Sequence, residues 1–432
     1  MLHESAPPRD RLSRIMAVVR VSSGNFLEMY DFMVFGYFAA AIGKAYFPSG
    51  GEHTSLLLAL ATYGAAFLMR PLGAVVLGSY IDRKGRRDGL LLTLGLMSIG
   101  TLTIAATPGY ATIGLLAPIL VLIGRLVQGL SAGVELGGVS VYLAEIAPPG
   151  RKGFYVSWQS ASQQVAVMFA ALLGVVLTRR LSPEAMDAWG FRIPLAAGCV
   201  IVPFLFWIRR SLRETDTFLA RRHRPSGREV LVSLAANWPI VLTGVGLVMM
   251  TTVSFYFITA YTPTFGRNAL HLNSLDSLLV TLAVGTSNLV WLPLSGALSD
   301  RVGRRPILVA CTVLTALTAY PALSWLAGAP SFGRLLTVQL WLSFLYAGYN
   351  GAMVCYLTEI VPAAVRTAGF SLAYSLATTA GGFTALICTL LIQATGSAAA
   401  PGAWLSFAAL CGLIAVPFSV RAARAPDAAQ QV

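Results

Sequence analysis

The 432-residue sequence is 56% hydrophobic and 11% charged, with a mean hydropathy of +0.70, whereas a soluble domain carries about a quarter charged residues. That excludes a chain that covers a water-facing surface with polar groups. The formal net charge of +13 is not a nucleic-acid footprint, because the basic residues are scattered over loops with no aromatic interleaving.

Taken in chain order, the opening tail through Arg20 is polar and basic and has no apolar core or cleavage site. No removable signal peptide is expected, and the first apolar run directs insertion. Apolar runs cut at Gly, Pro and charge clusters then predict twelve membrane spans, at 18–43, 55–79, 89–107, 112–142, 155–178, 190–208, 236–262, 277–298, 306–327, 335–359, 369–393 and 402–420. Lys and Arg concentrate in the N-terminal tail, 83–87, 151–152, 209–228, 301–305, Arg366 and the C-terminal tail, while the alternate loops hold Lys44, Arg179, Arg180, Arg192, Arg267 and Arg334. The positive-inside rule therefore puts both termini and the 209–228 segment in the cytoplasm. The cysteines Cys199, Cys311, Cys355, Cys388 and Cys411 fall in apolar runs at no metal-like spacing and read as small buried hydrophobes.

Two motifs occur twice. Gly78-Ser-Tyr-Ile-Asp82-Arg83-Lys-Gly85-Arg86-Arg87 returns as Gly296-Ala-Leu-Ser-Asp300-Arg301-Val-Gly303-Arg304-Arg305. Likewise Tyr142-Leu-Ala-Glu145-Ile-Ala-Pro148 returns as Tyr356-Leu-Thr-Glu359-Ile-Val-Pro362. The shared offset, near half the chain, predicts two six-helix bundles of the same topology, 1–208 and 236–432, joined by a cytoplasmic linker at 209–235. Such parallel repeats are typical of transporters whose halves rock about a midplane site.

The loop G-x-x-x-D-R-x-G-R-R resembles the signature of the major facilitator superfamily. The segments SSGNFLEMYDFMVFG and FLMRPLGAVVLGSYIDRKGRR narrow the likeness to its metabolite–proton symporter branch. GRLVQGLSAGVELGGVSVYLAEIAPPGRKGFYVSWQSASQQ and YNGAMVCYLTEIVPAAVRTAGFSLAYSLAT are similar to bacterial citrate–proton symporters and their tricarballylate-transporting relatives. The resemblance covers nearly the whole chain and weakens at the tails and in the 179–190 loop. It implies an all-α, twelve-helix fold in a bacterial inner membrane, alternating access, a citrate-like organic anion as substrate and protons as coupling ion. Sodium as coupling ion, and a dicarboxylate, aromatic acid or betaine as substrate, remain the alternatives within the branch.

Ionisable groups at membrane depth are costly and so are functional candidates. They are Glu28 and Asp31 in the first span, Arg70 in the second, and Arg125 and Glu135 in the fourth. Arg125 is the expected substrate partner, since a guanidinium grips a carboxylate with two parallel hydrogen bonds and keeps its charge. It stands about 30 Å before Glu145 along a helix axis. Gln128, Ala132 and Glu135 share its face, and Gly129, Ser131, Ala132 and Gly133 allow close helix approach or room for a ligand. Arg70 neutralises Glu28 or Asp31, or else contacts substrate; Asn25 lies one turn before Glu28.

His3, His53, His223 and His271 lie in tails or loops, so proton coupling falls to carboxylates: Glu135, Glu28 and Asp31. Burial raises a carboxylate pKa and a nearby Arg lowers it, which links substrate arrival to proton uptake or release. Polar stripes complete the cavity or glue helices. They are Ser160, Gln163 and Gln164 in the fifth span, Thr252, Tyr256 and Thr259 in the seventh, Tyr346, Tyr349 and Asn350 in the tenth, and Ser371, Tyr374, Ser375 and Thr378 in the eleventh. Of these, Ser160, Gln163, Gln164, Tyr349 and Asn350 are assigned to substrate, and the eleventh-span stripe to packing. Asp82, Arg83, Arg87, Glu145, Asp300, Arg301, Arg305 and Glu359, all in the repeated motifs, are expected to form a cytoplasmic gate. With no metal-like cluster, Walker loop or membrane-embedded Ser–His pair, no catalytic residue, metal, cofactor or obligatory protein partner is expected. A solute channel is the other class, but it needs neither homologous halves nor buried carboxylates.

Overall fold

The computed structural model describes residues 18–19, 25–48, 51–84, 86–133, 135–210, 232, 235–361 and 366–429; the side chains of residues 25, 78–79, 81–90, 135, 205, 208–210, 366–368 and 420–429 lie outside that description. The described chain is almost wholly helical and contains no strand. An apolar chain in lipid has no water to satisfy its backbone, and a helix satisfies each N–H and C=O internally.

The helices in order are α1 (Asn25–Tyr37), α2 (Ala39–Tyr46), α3 (Glu52–Lys84), α4 (Arg86–Ala106), α5 (Leu116–Ala132), α6 (Glu135–Ile146), α7 (Lys152–Arg180) and α8 (Arg192–Arg210). They continue as α9 (Trp238–Phe255), α10 (Thr262–Asn268), α11 (Ser274–Val302), α12 (Arg304–Gly328), α13 (Phe332–Ile360), α14 (Arg366–Gly382), α15 (Thr384–Thr395) and α16 (Pro401–Ala429). Single turns at Tyr110–Ile113 and Pro183–Ala185 and π-helical segments at Met186–Gly190 and Tyr256–Tyr261 complete the set.

Among the described residues, eight helical segments are long and apolar enough to cross a membrane, and two bent pairs would make ten. Leu91–Ala106 is apolar but shorter. The 29-residue α13 has the length, but Gln339, Tyr346, Tyr349 and Asn350 dilute its hydropathy.

Three runs expected as continuous spans are interrupted. The first bends by 72° between α1 and α2. The eleventh divides into α14 and α15. The seventh passes from α9 through the π-helical Tyr256–Tyr261 into α10. A π segment inside a helix widens one turn and is common at functional sites. Here it packs against α1, and from the following α10 Thr264 Oγ1 donates to the Gly36 carbonyl near the bend (3.4 Å).

Large apolar side chains such as Leu116, Ile119, Ile123, Leu294, Leu298, Leu317 and Phe407 are exposed, whereas Arg70, Arg125, Asn288 and Asn350 are buried. That inversion is expected of helices whose solvent is lipid.

Candidate functional site

The centre of the molecule is built on α5. Val121, Gly124, Arg125, Gln128, Gly129 and Ala132 are buried, while Leu116, Ile119, Leu122 and Ile123 are exposed. Helical spacing thus turns the polar face inward. Gly129 and Gly133 serve close helix approach: a Cβ at either would collide with the α3 backbone, at Ala66 O and Arg70 O respectively.

Arg125 is 0% exposed. Its guanidinium carbon lies 4.3 Å from the Phe32 ring centroid, 4.7 Å from Phe35 and 5.2 Å from Tyr63. Desolvated contacts of this kind are worth about 2 kcal/mol each. Nη1 donates to Gln128 Oε1 at 2.9 Å and Nη2 to the Tyr63 carbonyl at 3.4 Å, while Nε has no partner. Among the described residues no carboxylate lies within ion-pair distance of Arg125. The opposite charge that acts on it, Asp31, reaches it only through an intervening amide, so the direct carboxylate contact is left open to an anion.

Asp31, 3% exposed, is joined to Arg125 through Gln128. Gln128 Nε2 donates to Asp31 Oδ2 and to Thr101 Oγ1, both at 3.1 Å, and Thr101 also bonds Asp31. Arg70 sits on the other side of Phe32, 5.0 Å from that ring and 4.6 Å from Phe67. Its Nη2 is 2.8 Å from Glu28 Oε1, so of the two expected partners it contacts Glu28. Tyr256, from the π segment, closes over this group, edge-on to Phe67 at 5.0 Å and to Tyr63 at 6.4 Å.

The other expected substrate residues are not gathered here. Ser160 donates to its neighbour Gln159 (2.7 Å) and Gln163 is buried on the same helix. Gln164 accepts from Asn288 of α11 at 3.2 Å. Tyr349 donates to the Leu247 carbonyl at 2.8 Å, packing α13 on α9, and Asn350 donates to Tyr346 at 3.3 Å. In the eleventh-span stripe Thr378 donates to its own helix at the Tyr374 carbonyl (2.8 Å). Asn25, Glu135, Asp82, Arg83 and Arg87 have side chains outside the described residues.

Two ends flank the centre. At the end bearing the 301–305 loop, Asp300 accepts from the first amides of α7, Gly153 N at 2.8 Å and Phe154 N at 3.0 Å. A carboxylate there also complements the helix dipole. Arg304, which sequence reasoning passed over, lies 2.7 Å from Asp300 and 3.3 Å from Glu359. Its position four residues after Asp300 was the available signal. Arg305 bonds Tyr356 at 3.0 Å, whereas Arg301 and Glu145 are exposed. Below them α7 and α11 touch through glycine: a Cβ on Gly296 would sit 2.5 Å from the Gly153 carbonyl.

At the opposite end a cavity of about 410 Å³ is lined by Tyr37, Phe38, Thr178, Asp187, Arg267 and Asn273, among others. Phe35, which packs on Arg125, precedes Phe38 of the cavity lining by three residues. Lys44 bridges Asp187 and Glu52 near its rim, at 3.0 Å each.

Comparison with known proteins gives three results. The family model described as sugar (and other) transporter matches residues 16–232 and 226–423. The chain is 59% identical over 410 residues to a citrate-proton symporter of Klebsiella pneumoniae, covering 95% of this chain and 92% of that one. It is 56% identical over 413 residues to a citrate-proton symporter of Salmonella typhi, covering 95% of each. Its backbone also matches the E. coli xylose transporter XylE in a partially occluded inward-open conformation, with a TM-score of 0.75 over 94% of this chain and 97% of that one. At 19% identity, that likeness concerns the fold.

Proposed function

The chain belongs to the sugar (and other) transporter family, with the major facilitator fold, and from that premise we propose that it imports a tricarboxylate, citrate or tricarballylate, by proton symport. It is a membrane transporter and not an enzyme. The observation that carries the substrate reading is Arg125, fully buried, boxed by three aromatic rings and without a carboxylate partner among the described residues. The family and the two citrate-transporting relatives support it.

The proposed topology is twelve membrane helices in a bacterial inner membrane with both termini in the cytoplasm. The halves are 1–208 and 236–432, and 209–235 is the linker. The anion enters from the cavity side, displaces the Phe35 and Tyr63 cover, and takes Arg125 as its charge partner. Asp300, Arg304 and Glu359 hold the cytoplasmic end closed meanwhile. Protons are the coupling ion, with sodium the alternative, and no other cofactor is invoked. Asp31 is the favoured proton carrier over Glu28 and Glu135, because it is linked to Arg125 through one amide while Glu28 contacts Arg70.

A competition panel tests the substrate. Unlabelled citrate and tricarballylate should suppress labelled citrate uptake into proteoliposomes, and dicarboxylates or betaine should do so far less. A dicarboxylate that outcompetes citrate overturns the assignment.

A further inference from the structure

We infer that Gln128 is a rotating relay that converts the protonation state of Asp31 into anion affinity at Arg125, a positioning role that rests on the proposed proton-coupled transport. The amide joins two groups of opposite hydrogen-bonding character. A guanidinium can only donate, and an ionised carboxylate can only accept. Gln128 meets both with its two ends, Oε1 toward Arg125 Nη1 at 2.9 Å and Nε2 toward Asp31 Oδ2 at 3.1 Å. The side chain is 1% exposed, so water does not compete for either end. In this state Gln128 occupies a donor of Arg125 that an incoming carboxylate would use.

When a proton from the aqueous side adds to the Asp31 carboxylate, that group becomes a donor and one negative charge is removed. The better partner for the new O–H is Gln128 Oε1, which the amide supplies by turning about its last torsion. Nε2 then faces Arg125, which cannot accept. The turned amide therefore frees Nη1 and adds its own N–H to the anion site. On its far side Asp31 is closely packed against α8. Its Oδ1 has no partner among the described residues, and it faces Gly198 of α8, where an added Cβ would lie 2.8 Å away.

Among the described residues, the charged or titratable groups near this centre include Tyr30, Glu28 and Tyr37 on α1, Arg70 and Tyr63 on α3, Cys199 on α8, and Tyr256 and Tyr261 on the π segment, with Arg267 of α10 at the cavity rim. On α4, Thr101 faces Asp31, and α7 presents Phe169 beside Tyr30. Gln128 is hydrogen-bonded to both Asp31 and Arg125. By linkage, proton and anion each raise the affinity of the other by the same factor.

The test is citrate affinity against pH, by calorimetry on purified protein, for wild type, Asp31→Asn, Gln128→Met and Gln128→Glu. Titration of citrate itself is common to all arms and cancels in ratios. Gln128→Met keeps the volume and removes both hydrogen bonds. It should bind more tightly than wild type at high pH, where Gln128 blocks Arg125 Nη1, and about tenfold more weakly at low pH, so its profile flattens. In Gln128→Glu the introduced carboxyl accepts from Arg125 when ionised and regains a donor when protonated. That variant should lose binding at neutral pH and recover it on acidification, with a steeper profile than wild type.

A Gln128→Met profile parallel to wild type makes Gln128 a packing residue and overturns the relay alone. If Asp31→Asn keeps the wild-type pH dependence, the assignment of the proton to Asp31 fails and the relay fails with it. Should Gln128→Met not fold, Gln128→Asn, whose amide is one methylene too short to bridge both groups, decides the matter by the same flattening or its absence.

Discussion

Arg125 carries its charge at the centre of the fold, and the three rings around it define what a replacement must lose. Lysine keeps the charge but presents a compact ammonium that neither stacks flat on Phe32 nor forms two parallel bonds to a carboxylate. Arg125→Lys is therefore expected to weaken citrate binding by at least tenfold, or about 1.4 kcal/mol, with the protein still folded; calorimetry reads this directly, and equal affinity contradicts it. Arg125, Asp31, Arg70 and Glu28 were legible in the sequence because a charge in an apolar run is too costly to be accidental. Their partners were harder to read. Gln128 was placed on the Arg125 face by helical spacing, but nothing in one helix reveals that Thr101 and Asp31 meet its other end. Tyr349 and Gln164 look equally suited to a cavity as amphipathic residues in apolar runs. The contacts to Leu247 and Asn288 that occupy them come from helices far away in the chain.

At the scale of elements, the apolar runs located nearly every helix but not the breaks within them. α1, which bends by 72° after Tyr37, and the π segment at Tyr256–Tyr261 pack against each other. The bend after Tyr37 contains no proline, whereas the π segment runs into Pro263, whose missing N–H leaves the Thr259 carbonyl without its i+4 donor. Helix ends do more work in the closure of the 301–305 end, where Asp300 of α11 caps α7. Asp300→Asn keeps a hydrogen-bond acceptor and removes the charge that favours the α7 N-terminus and Arg304. The expected loss is about 1 kcal/mol for the state closed at this end, roughly a fivefold change in its population. Turnover should fall by a similar factor with citrate affinity within about twofold of wild type. Transport and calorimetry on the same preparation check this, and a large loss of affinity with normal turnover would contradict a gating role.

The whole molecule is an inverted globule, apolar outside and polar at its middle, and its cavity and its capped helix end lie on opposite sides of Arg125. The repeat of the D-R-x-G-R-R loop is the sequence feature from which a twofold plan is expected. The state of the two ends was not readable, because it depends on how α7 meets α11, α1 and α10 and not on any local pattern. What the arrangement must accomplish is energetic. A citrate trianion is repelled by a negative interior, and each cotransported proton contributes about 2.3 kcal/mol per 100 mV of membrane potential. Neutral passage requires three protons, and net accumulation requires coupling that a channel lacks. The direct measurement is labelled citrate uptake by purified protein in proteoliposomes, with an imposed inward proton gradient and no citrate gradient. Proton symport predicts transient accumulation above the external concentration, abolished by an uncoupler and reduced to near background in Asp31→Asn while citrate-for-citrate exchange persists. Citrate that only equilibrates, at a rate indifferent to the proton gradient and to the uncoupler, would contradict it.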